Sequence, residues 1–445
     1  MTAYPMESAT HTRFPAYHVM VKPAGSRCNL ACRYCFYLEK EALFPDSTPG
    51  KMSVDLLETF TRQYIETQRV PEITFAWQGG EPTLLGLDFF KKAIEFQQQY
   101  AQGKHIQNAF QTNGVLLDDA WGEFLARNGF LVGVSIDGPQ PIHDRYRLDK
   151  GGQGTFTRVM RGIEILKKHG VEFNTLTCVQ RQNARQPLEV YRFLREIGSG
   201  YMQFIPVVER TAETPTEGLA LAVPGRTQEA PVTDWSVNPE EYGRFLCTVF
   251  DEWVRTDVSK VYVQLFDIAL EAWMGMEPGL CIFRKNCGQA MALEHDGSLY
   301  ACDHYVYPQY CIGNLTETPL QILVDSDLQR EFGEAKLKTL PDCCQACPVR
   351  FTCHGDCPKH RFLKTGDDQR PLSYLCAGYK MFFQHIDPHM RFMANELQEQ
   401  RPPANIMAHM RQMDLQAAGK TQPAPNEPCI CGSGKKFKKC CGRND

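Results

Sequence analysis

The sequence predicts an α/β fold: a partial parallel (β/α)6 barrel, then a small cysteine-rich domain and a short cysteine-bearing tail. Three observations predict it. Strand-like and helix-like stretches alternate between His18 and Val208, the pattern of a parallel sheet with right-handed crossovers. From Cys281 the chain turns cysteine-rich and loses its long helices, and after Pro428 four more cysteines follow a proline-punctuated stretch.

At 445 residues and 43% hydrophobic, the chain can bury large cores and is expected to hold two or three domains. Its net charge of −4 gives no global pull toward nucleic acid or anionic membranes. Met1–Pro15 is polar and broken by Pro5 and Pro15, without the apolar core of a signal peptide, and no apolar run reaches membrane-spanning length. A soluble, cytoplasmic protein is expected. In that setting 19 cysteines read as metal ligands before disulfides, and as a sign of anaerobic life. Cys178, Cys247, Cys311 and Cys343 fall outside the recognisable groups and are expected to be buried small hydrophobes.

The first strand, expected at His18–Lys22, leads into Cys28-Asn29-Leu30-Ala31-Cys32-Arg33-Tyr34-Cys35. Three thiolates this close can hold three corners of a four-iron, four-sulfur cube, which four cysteines ordinarily tie down. No fourth cysteine lies within the next hundred residues, so one iron would stay open to a small molecule. A zinc knuckle or buried free thiols are the alternatives, although zinc favours four ligands from paired cysteines. The spacing, with an aromatic residue before the last cysteine, resembles the cluster loop of the radical S-adenosylmethionine (SAM) enzymes. The resemblance implies that SAM chelates the open iron and places Tyr34 among the cofactor-binding residues.

Further strands are expected at Ile73–Trp77, Asn108–Gln111, Leu131–Ile136, Val171–Val179 and Tyr201–Val208. Helical patterns at Val54–Gln68, Phe89–Tyr100, Asp118–Arg127, Phe156–His169 and Leu188–Ile197 separate them. Six units fall short of a closed barrel's eight, so the barrel is open, with chemistry at the C-terminal ends of its strands. There the second strand runs into Gln78-Gly79-Gly80-Glu81-Pro82. Paired glycines let backbone approach a ligand, and a carboxylate accepts from an ammonium, though such a turn alone is equally a loop. Thr112-Asn113-Gly114 and Ser135-Ile136-Asp137-Gly138 end the third and fourth strands, with short polar groups suited to a ligand or to turns and caps. By the same resemblance, Gly79, Gly80 and Glu81 serve the SAM amino group. Thr112, Asn113, Ser135 and Asp137 serve its ribose and carboxylate, Arg147 contacts it, and Val208 packs on it. Core packing explains Val208 equally well.

Thr211–Pro239 reads as a long loop or linker, and Glu240–Arg255 and Val261–Met274 as helices. Then come Cys287-x9-Gly297-x4-Cys302, Cys344-x2-Cys347-x5-Cys353-x3-Cys357 and Cys376. This layout is similar to the SPASM domain of peptide-modifying radical SAM enzymes, and Cys281 supplies an eighth cysteine. Eight ligands allow two fully protein-ligated 4Fe-4S clusters, suited to electron transfer; two structural zinc sites are the alternative. The resemblance implies that Cys281, Cys287, Cys302 and Cys357 hold the inner cluster and Cys344, Cys347, Cys353 and Cys376 the outer one. Cys343, beside Cys344, leaves that ligand open by one position.

Asp303 directly follows Cys302, and this pair resembles the cluster-side general base of the anaerobic sulfatase-maturating enzymes. Tyr37 and Gln78 also resemble that subfamily's substrate-side residues. The resemblance implies conversion of a Cys or Ser in a sulfatase Cys/Ser-x-Pro-x-Arg segment to formylglycine. Oxidation at Cβ removes a hydrogen atom, a proton and an electron: a 5′-deoxyadenosyl radical takes the first, Asp303 the second and the inner cluster the third. A local cap is the other role open to Asp303. Expected partners are an unfolded or nascent sulfatase and a flavodoxin- or ferredoxin-type electron donor, with no membrane and no sequence-specific nucleic acid. The rival readings are a SPASM maturase forming thioether or carbon–carbon crosslinks, and a non-enzymatic iron–sulfur or zinc adaptor.

After helical Met381–Gln398, a linker over 399–427 delivers Cys429, Cys431, Cys440 and Cys441, a four-thiolate zinc pattern that resembles the SEC-C motif. The resemblance implies an interaction module that reaches nascent substrate through a chaperone or the ribosome. The expected domains are an N-terminal tail (1–15), the barrel (16–235), connecting helices (236–280), the SPASM domain (281–398), the linker and the SEC-C motif (428–445).

Overall fold

The computed structural model describes residues 16–44, 50–216, 219–225, 230–366, 368–420, 422–427, 429 and 435–442. Six parallel strands form the barrel wall: β1 (His18–Lys22), β2 (Glu72–Trp77), β3 (His105–Thr112), β4 (Phe130–Ser135), β5 (Phe173–Val179) and β6 (Tyr201–Pro206). They are hydrogen-bonded side by side in chain order. Alternation sets the faces: Ile73, Phe75 and Trp77 of β2 are buried, under helix Val54–Thr67, whose Leu57, Phe60, Tyr64 and Ile65 are buried in turn. Ser53 caps that helix by accepting from the Leu56 amide at 3.1 Å, and Asp118 caps Asp119–Arg127 by accepting from the Trp121 amide at 3.0 Å. An aromatic run, Phe60–Phe75–Trp77–Phe90–Phe110, ties helices to sheet with ring centroids 5.1–5.9 Å apart.

β3 is longer than the expected Asn108–Gln111, since polar His105 and Gln107 flank Ile106 and all three pair with Glu72, Ile73 and Thr74 of β2; inside the strand, polar Asn108 is a core residue. Its amide accepts from Trp77 Nε1 at 2.8 Å and pairs with Gln97 in both directions at 2.9 Å. β6 ends at Pro206, short of the expected Val208.

The cysteine-rich region is built onto the barrel rather than hung beside it. Ala290–Glu294 pairs parallel with β1 in full register, from His18↔Ala290 to Lys22↔Glu294. Ser298–Tyr300 and Cys311–Asn314 add antiparallel strands outside it, and Tyr262–Val263 extends the other edge beside β6, giving a 10-stranded sheet.

Two expected connectors carry structure. Within Thr211–Pro239, Thr211–Thr216 and Leu219–Leu221 form a hairpin, held by Glu39 Oε2 accepting from the Ala220 and Leu221 amides at 2.9 and 3.1 Å. Within 399–427, Ile406–Ala417 is a helix that buries Ile406, Met407 and Met410. Its polar residues hid a three-residue apolar stripe. Helix Cys376–Gln398 starts a turn before the expected Met381 and crosses Pro239–Thr256 where Gly378 faces Gly243. Among the described residues no helix is long and apolar enough to cross a membrane.

Candidate active site

The cysteine loop leaves the C-terminal end of β1, and Cys28, Cys32 and Cys35 are all free thiols. Asn113, at the end of β3, donates to Cys28 Sγ at 3.7 Å and to Asn29 Oδ1 at 2.7 Å. Burial pushes the Cys28 and Cys32 thiols up to about 11. A thiolate is stable there only beside a positive charge, which bound iron supplies. The donor set fits an iron–sulfur cluster with three protein ligands. A cavity of about 670 Å³ opens at this loop, lined by residues including Arg27, Cys28, Asn29, Leu38 and Lys150.

Around the loop, the expected cofactor residues order one another. Gly79 and Gly80 both have positive φ, +89° and +45°, and a Cβ on Gly80 would meet Arg27 O at 2.0 Å, so only glycine permits this approach to the loop. The fully buried Glu81 accepts from Thr83 N at 3.0 Å, Thr83 Oγ1 at 2.7 Å, Thr112 Oγ1 at 2.8 Å and Asn113 N at 2.7 Å. Its carboxylate therefore builds the turn and binds the ends of β2 and β3. Asp137 accepts from Tyr34 OH at 2.6 Å and from Cys178 N at 3.2 Å, while Arg147 Nη1 donates to Tyr34 OH at 3.0 Å. Arg147 Nε is buried without a partner among the described residues. Ser135 is half-buried at the end of β4. Val208 lies in the main core, whereas Val207 packs with Tyr34 and Tyr146.

The residues expected on the substrate side meet around a lysine. Lys22, the last residue of β1, is 1% exposed. Its ammonium pairs with Asp303, donates to Gln78 Oε1 at 3.3 Å and stands 4.4 Å from the centre of the Tyr37 ring. Tyr37 OH donates to Glu294, whose second oxygen is 2.9 Å from His295 Nδ1. Burial alone would push the Asp303 carboxyl up, but Lys22, with His304 and Lys359, holds it below the ordinary carboxylate range. Asp303 begins a short helical turn directly after Cys302 and keeps 19% of its side chain exposed beside Lys22. Burial and Lys359 push His304 down to about 3. Sequence reasoning singled out Asp303, Tyr37 and Gln78 but missed Lys22 and Glu294. A lysine ending an otherwise apolar strand marks the first, while the second depends on strand register.

At the inner group, burial pushes Cys302 up and the charge of Cys357 and Cys281 adds to it, while burial, Asp356, Cys287 and Cys281 push Cys357 up. At the outer group Cys376 feels Cys347 and Cys343, and Cys353 feels Cys376 and Cys344. Each set fits a cluster, and Cys343 and Cys344 both stay at the outer one. The expected burial of the remaining cysteines does not hold, since Cys343 is exposed and Cys178, Cys247 and Cys311 are only partly buried.

In the tail, one sulfur each from Cys429, Cys440 and Cys441 lies within 4.8 Å of the others, with Cys440 and Cys441 at 4.0 Å. A tetrahedral site with Zn–S bonds of about 2.3 Å spaces its sulfurs about 3.8 Å apart, so these thiols fit one zinc ion. Cys431 lies outside the described residues.

The chain is similar to known proteins along most of its length. Residues 23–194 match the Radical SAM superfamily, 281–348 the iron-sulfur cluster-binding domain SPASM, and 426–443 the SEC-C motif. The chain is 47% identical to a serine-type anaerobic sulfatase-maturating enzyme of Bacteroides thetaiotaomicron over 92% of its own length and 99% of that protein's. It is 33% identical to a cysteine-type anaerobic sulfatase-maturating enzyme of Clostridium perfringens, over 86% of this chain and 100% of the other. The structure of native anSMEcpe with bound AdoMet and Cp18Cys peptide superposes with a TM-score of 0.74 at 34% identity, covering 85% of this chain and 99% of that one.

Proposed function

This chain belongs to the anaerobic sulfatase-maturating enzymes of the radical SAM superfamily, and on that premise we propose that it oxidises a Cys or Ser of a sulfatase Cys/Ser-x-Pro-x-Arg segment to formylglycine. One observation carries the reading: Asp303, directly after Cys302 of the inner cysteine set, pairs with Lys22, which also donates to Gln78 at the end of β2. A carboxylate there is placed to serve a substrate side chain and an electron acceptor together.

Cys28, Cys32 and Cys35 would hold the cluster that binds SAM, and the two SPASM sets would hold the auxiliary clusters. When bound, these groups supply hydrogen-atom abstraction from the substrate Cβ and an acceptor for one electron. The chain's own residues handle the proton and the geometry. Asp303, kept ionised, accepts the proton from the substrate Oγ or Sγ. Tyr37 and Gln78 line the same space and fix the side chain against Asp303. Loss of one hydrogen atom, one proton and one electron turns a serine side chain into the aldehyde. From cysteine the same loss gives a thioaldehyde, which water converts to the aldehyde with release of hydrogen sulfide.

A flavodoxin- or ferredoxin-type protein would feed electrons. The tail would hold zinc and bring the enzyme to unfolded or nascent sulfatase in the cytoplasm, through a chaperone or the ribosome. A tail-deleted protein that binds and processes nascent sulfatase as well as the intact one would remove that role.

The test is mass spectrometry of matched Ser-x-Pro-x-Arg and Cys-x-Pro-x-Arg peptides after anaerobic incubation with reconstituted protein, SAM and a reductant. A loss of 2 Da from the serine peptide, or of 18 Da from the cysteine peptide, with matching 5′-deoxyadenosine, is expected. SAM cleavage with both peptides intact would bring the crosslinking reading forward. The higher identity to the serine-type relative makes the serine peptide the first to try.

A further inference from the structure

We propose that Lys22 is the positioning residue of the oxidation site, its ammonium gathering Asp303, Gln78 and the Tyr37 ring into one constellation, with Glu294 fixing the Tyr37 hydroxyl from the neighbouring strand. The inference rests on the sulfatase-maturating reading.

Register makes the point. Lys22 and Glu294 are strand partners, and each, being a buried charge, needs a partner. Here the two part company. Both Glu294 oxygens are taken, one by Tyr37 and one by His295, and Lys22 reaches past its neighbour to Asp303 on the loop after Cys302.

Two glycines make room for this arrangement. A Cβ on Gly79 would meet Lys22 Cδ at 2.3 Å, so the lysine stem runs through the space that a side chain would fill. A Cβ on Gly25 would meet His295 Nδ1 at 2.6 Å. Both glycines have positive φ, +89° and +56°, so the turns and the clearances are built together.

The seam between barrel and SPASM domain is thus also the frame of the active site. β1 supplies Lys22, the cluster loop Tyr37, β2's end Gln78, the added parallel strand Glu294, and the segment after the next strand, Ser298–Tyr300, supplies Asp303. One ammonium fixes the direction of the Asp303 carboxylate toward its proton donor, so that proton removal keeps step with hydrogen abstraction.

Lys22→Met and Lys22→Arg test it in the reconstituted holoenzyme, assayed for iron per chain, 5′-deoxyadenosine and formylglycine. Lys22→Met should keep its iron and its SAM cleavage while kcat for formylglycine falls about a hundredfold and KM changes less than about threefold. The ratio of 5′-deoxyadenosine to formylglycine should rise from near one to about ten or more, and Lys22→Arg should recover about tenfold of the lost kcat. Wild-type activity with Lys22→Met unaltered in kcat and ratio would overturn the proposal. So would loss of iron from both variants, which would make Lys22 a folding residue. Wild-type protein that forms no formylglycine from either peptide would instead remove the reading on which the proposal stands.

Discussion

Tyr34 donates its hydroxyl hydrogen to Asp137 Oδ2 at 2.6 Å, joining the cysteine loop to the end of β4 across 103 residues of sequence. The bond is also an electrostatic hinge, because Arg147, 6% exposed, donates to the same hydroxyl. Asp137 itself has no exposed surface and takes a further bond from the Cys178 amide. The loop that carries Cys28, Cys32 and Cys35 is therefore held by buried charge from the far side of the barrel.

Removing Asp137 exposes that dependence. Asp137→Ala leaves the buried Tyr34 hydroxyl, to which Arg147 also donates, without its acceptor, a loss of about 1–3 kcal/mol. Anaerobic denaturation should show the loss, and iron analysis should show depletion at the first cluster. Asp137→Asn, which keeps the shape and the Tyr34 bond, should lose less.

The crossing of Pro239–Thr256 with Cys376–Gln398 is equally intolerant. A Cβ on Gly378 would lie 2.1 Å from Pro239 O, a backbone atom that cannot step aside alone. Gly378→Ala should cost about 1–3 kcal/mol, read as a lowered Tm. Gly200→Ala, where a Cβ meets nothing within 4 Å, is the control and should stay within about 0.5 kcal/mol of wild type.

Much of this was legible in the sequence, for identifiable reasons. The barrel strands were readable because Val19, Val21, Ile73, Phe75 and Trp77 alternate with residues of the other face, and the cysteine spacing is local chemistry. Boundaries failed where polarity misled. β3 begins at His105 rather than at the expected Asn108, because pairing with Glu72 and Thr74 of β2 holds polar His105 and Gln107 in the strand. The helix Ile406–Ala417 buries only three apolar residues, too few for a clear period. Lys22 and Glu294 escaped because their meeting depends on pairing between strands about 270 residues apart, which no local pattern encodes.

Asp267 gives the fold a pH dependence. It sits in the first turn of Gln264–Trp273, lining a cavity of about 200 Å³ with Asn174, Tyr201 and Gln203. Burial, with Glu271 adding repulsion, pushes its carboxyl up to about 7. The unfolded chain releases this proton near 3.9, so between roughly pH 4 and 7 the folded state holds a proton that the unfolded state has lost. Stability then falls as pH rises through that window and levels off above it. The contribution is on the order of 2–4 kcal/mol, reduced by the partial exposure of the group. Asp267→Asn should flatten this slope in denaturant titrations across the window. An unchanged slope would mean that Asp267 ionises normally.

The tail can be separated from the catalytic clusters by metal content. Cys429, Cys440 and Cys441 gather their sulfurs beside helix Ile406–Ala417, where Arg411 Nη1 donates to Cys429 O at 2.9 Å. This contact holds the tail through backbone, so it does not depend on a thiol. Cys440→Ser with Cys441→Ser removes two of the four expected ligands, and zinc should drop from about one per chain to near zero. Iron content and peptide oxidation should be unchanged, because none of the cysteines assigned to iron lies beyond Cys376. Iron lost together with zinc would show instead that the tail holds the SPASM domain together, acting through Ile406–Ala417 on the helix that begins at Cys376.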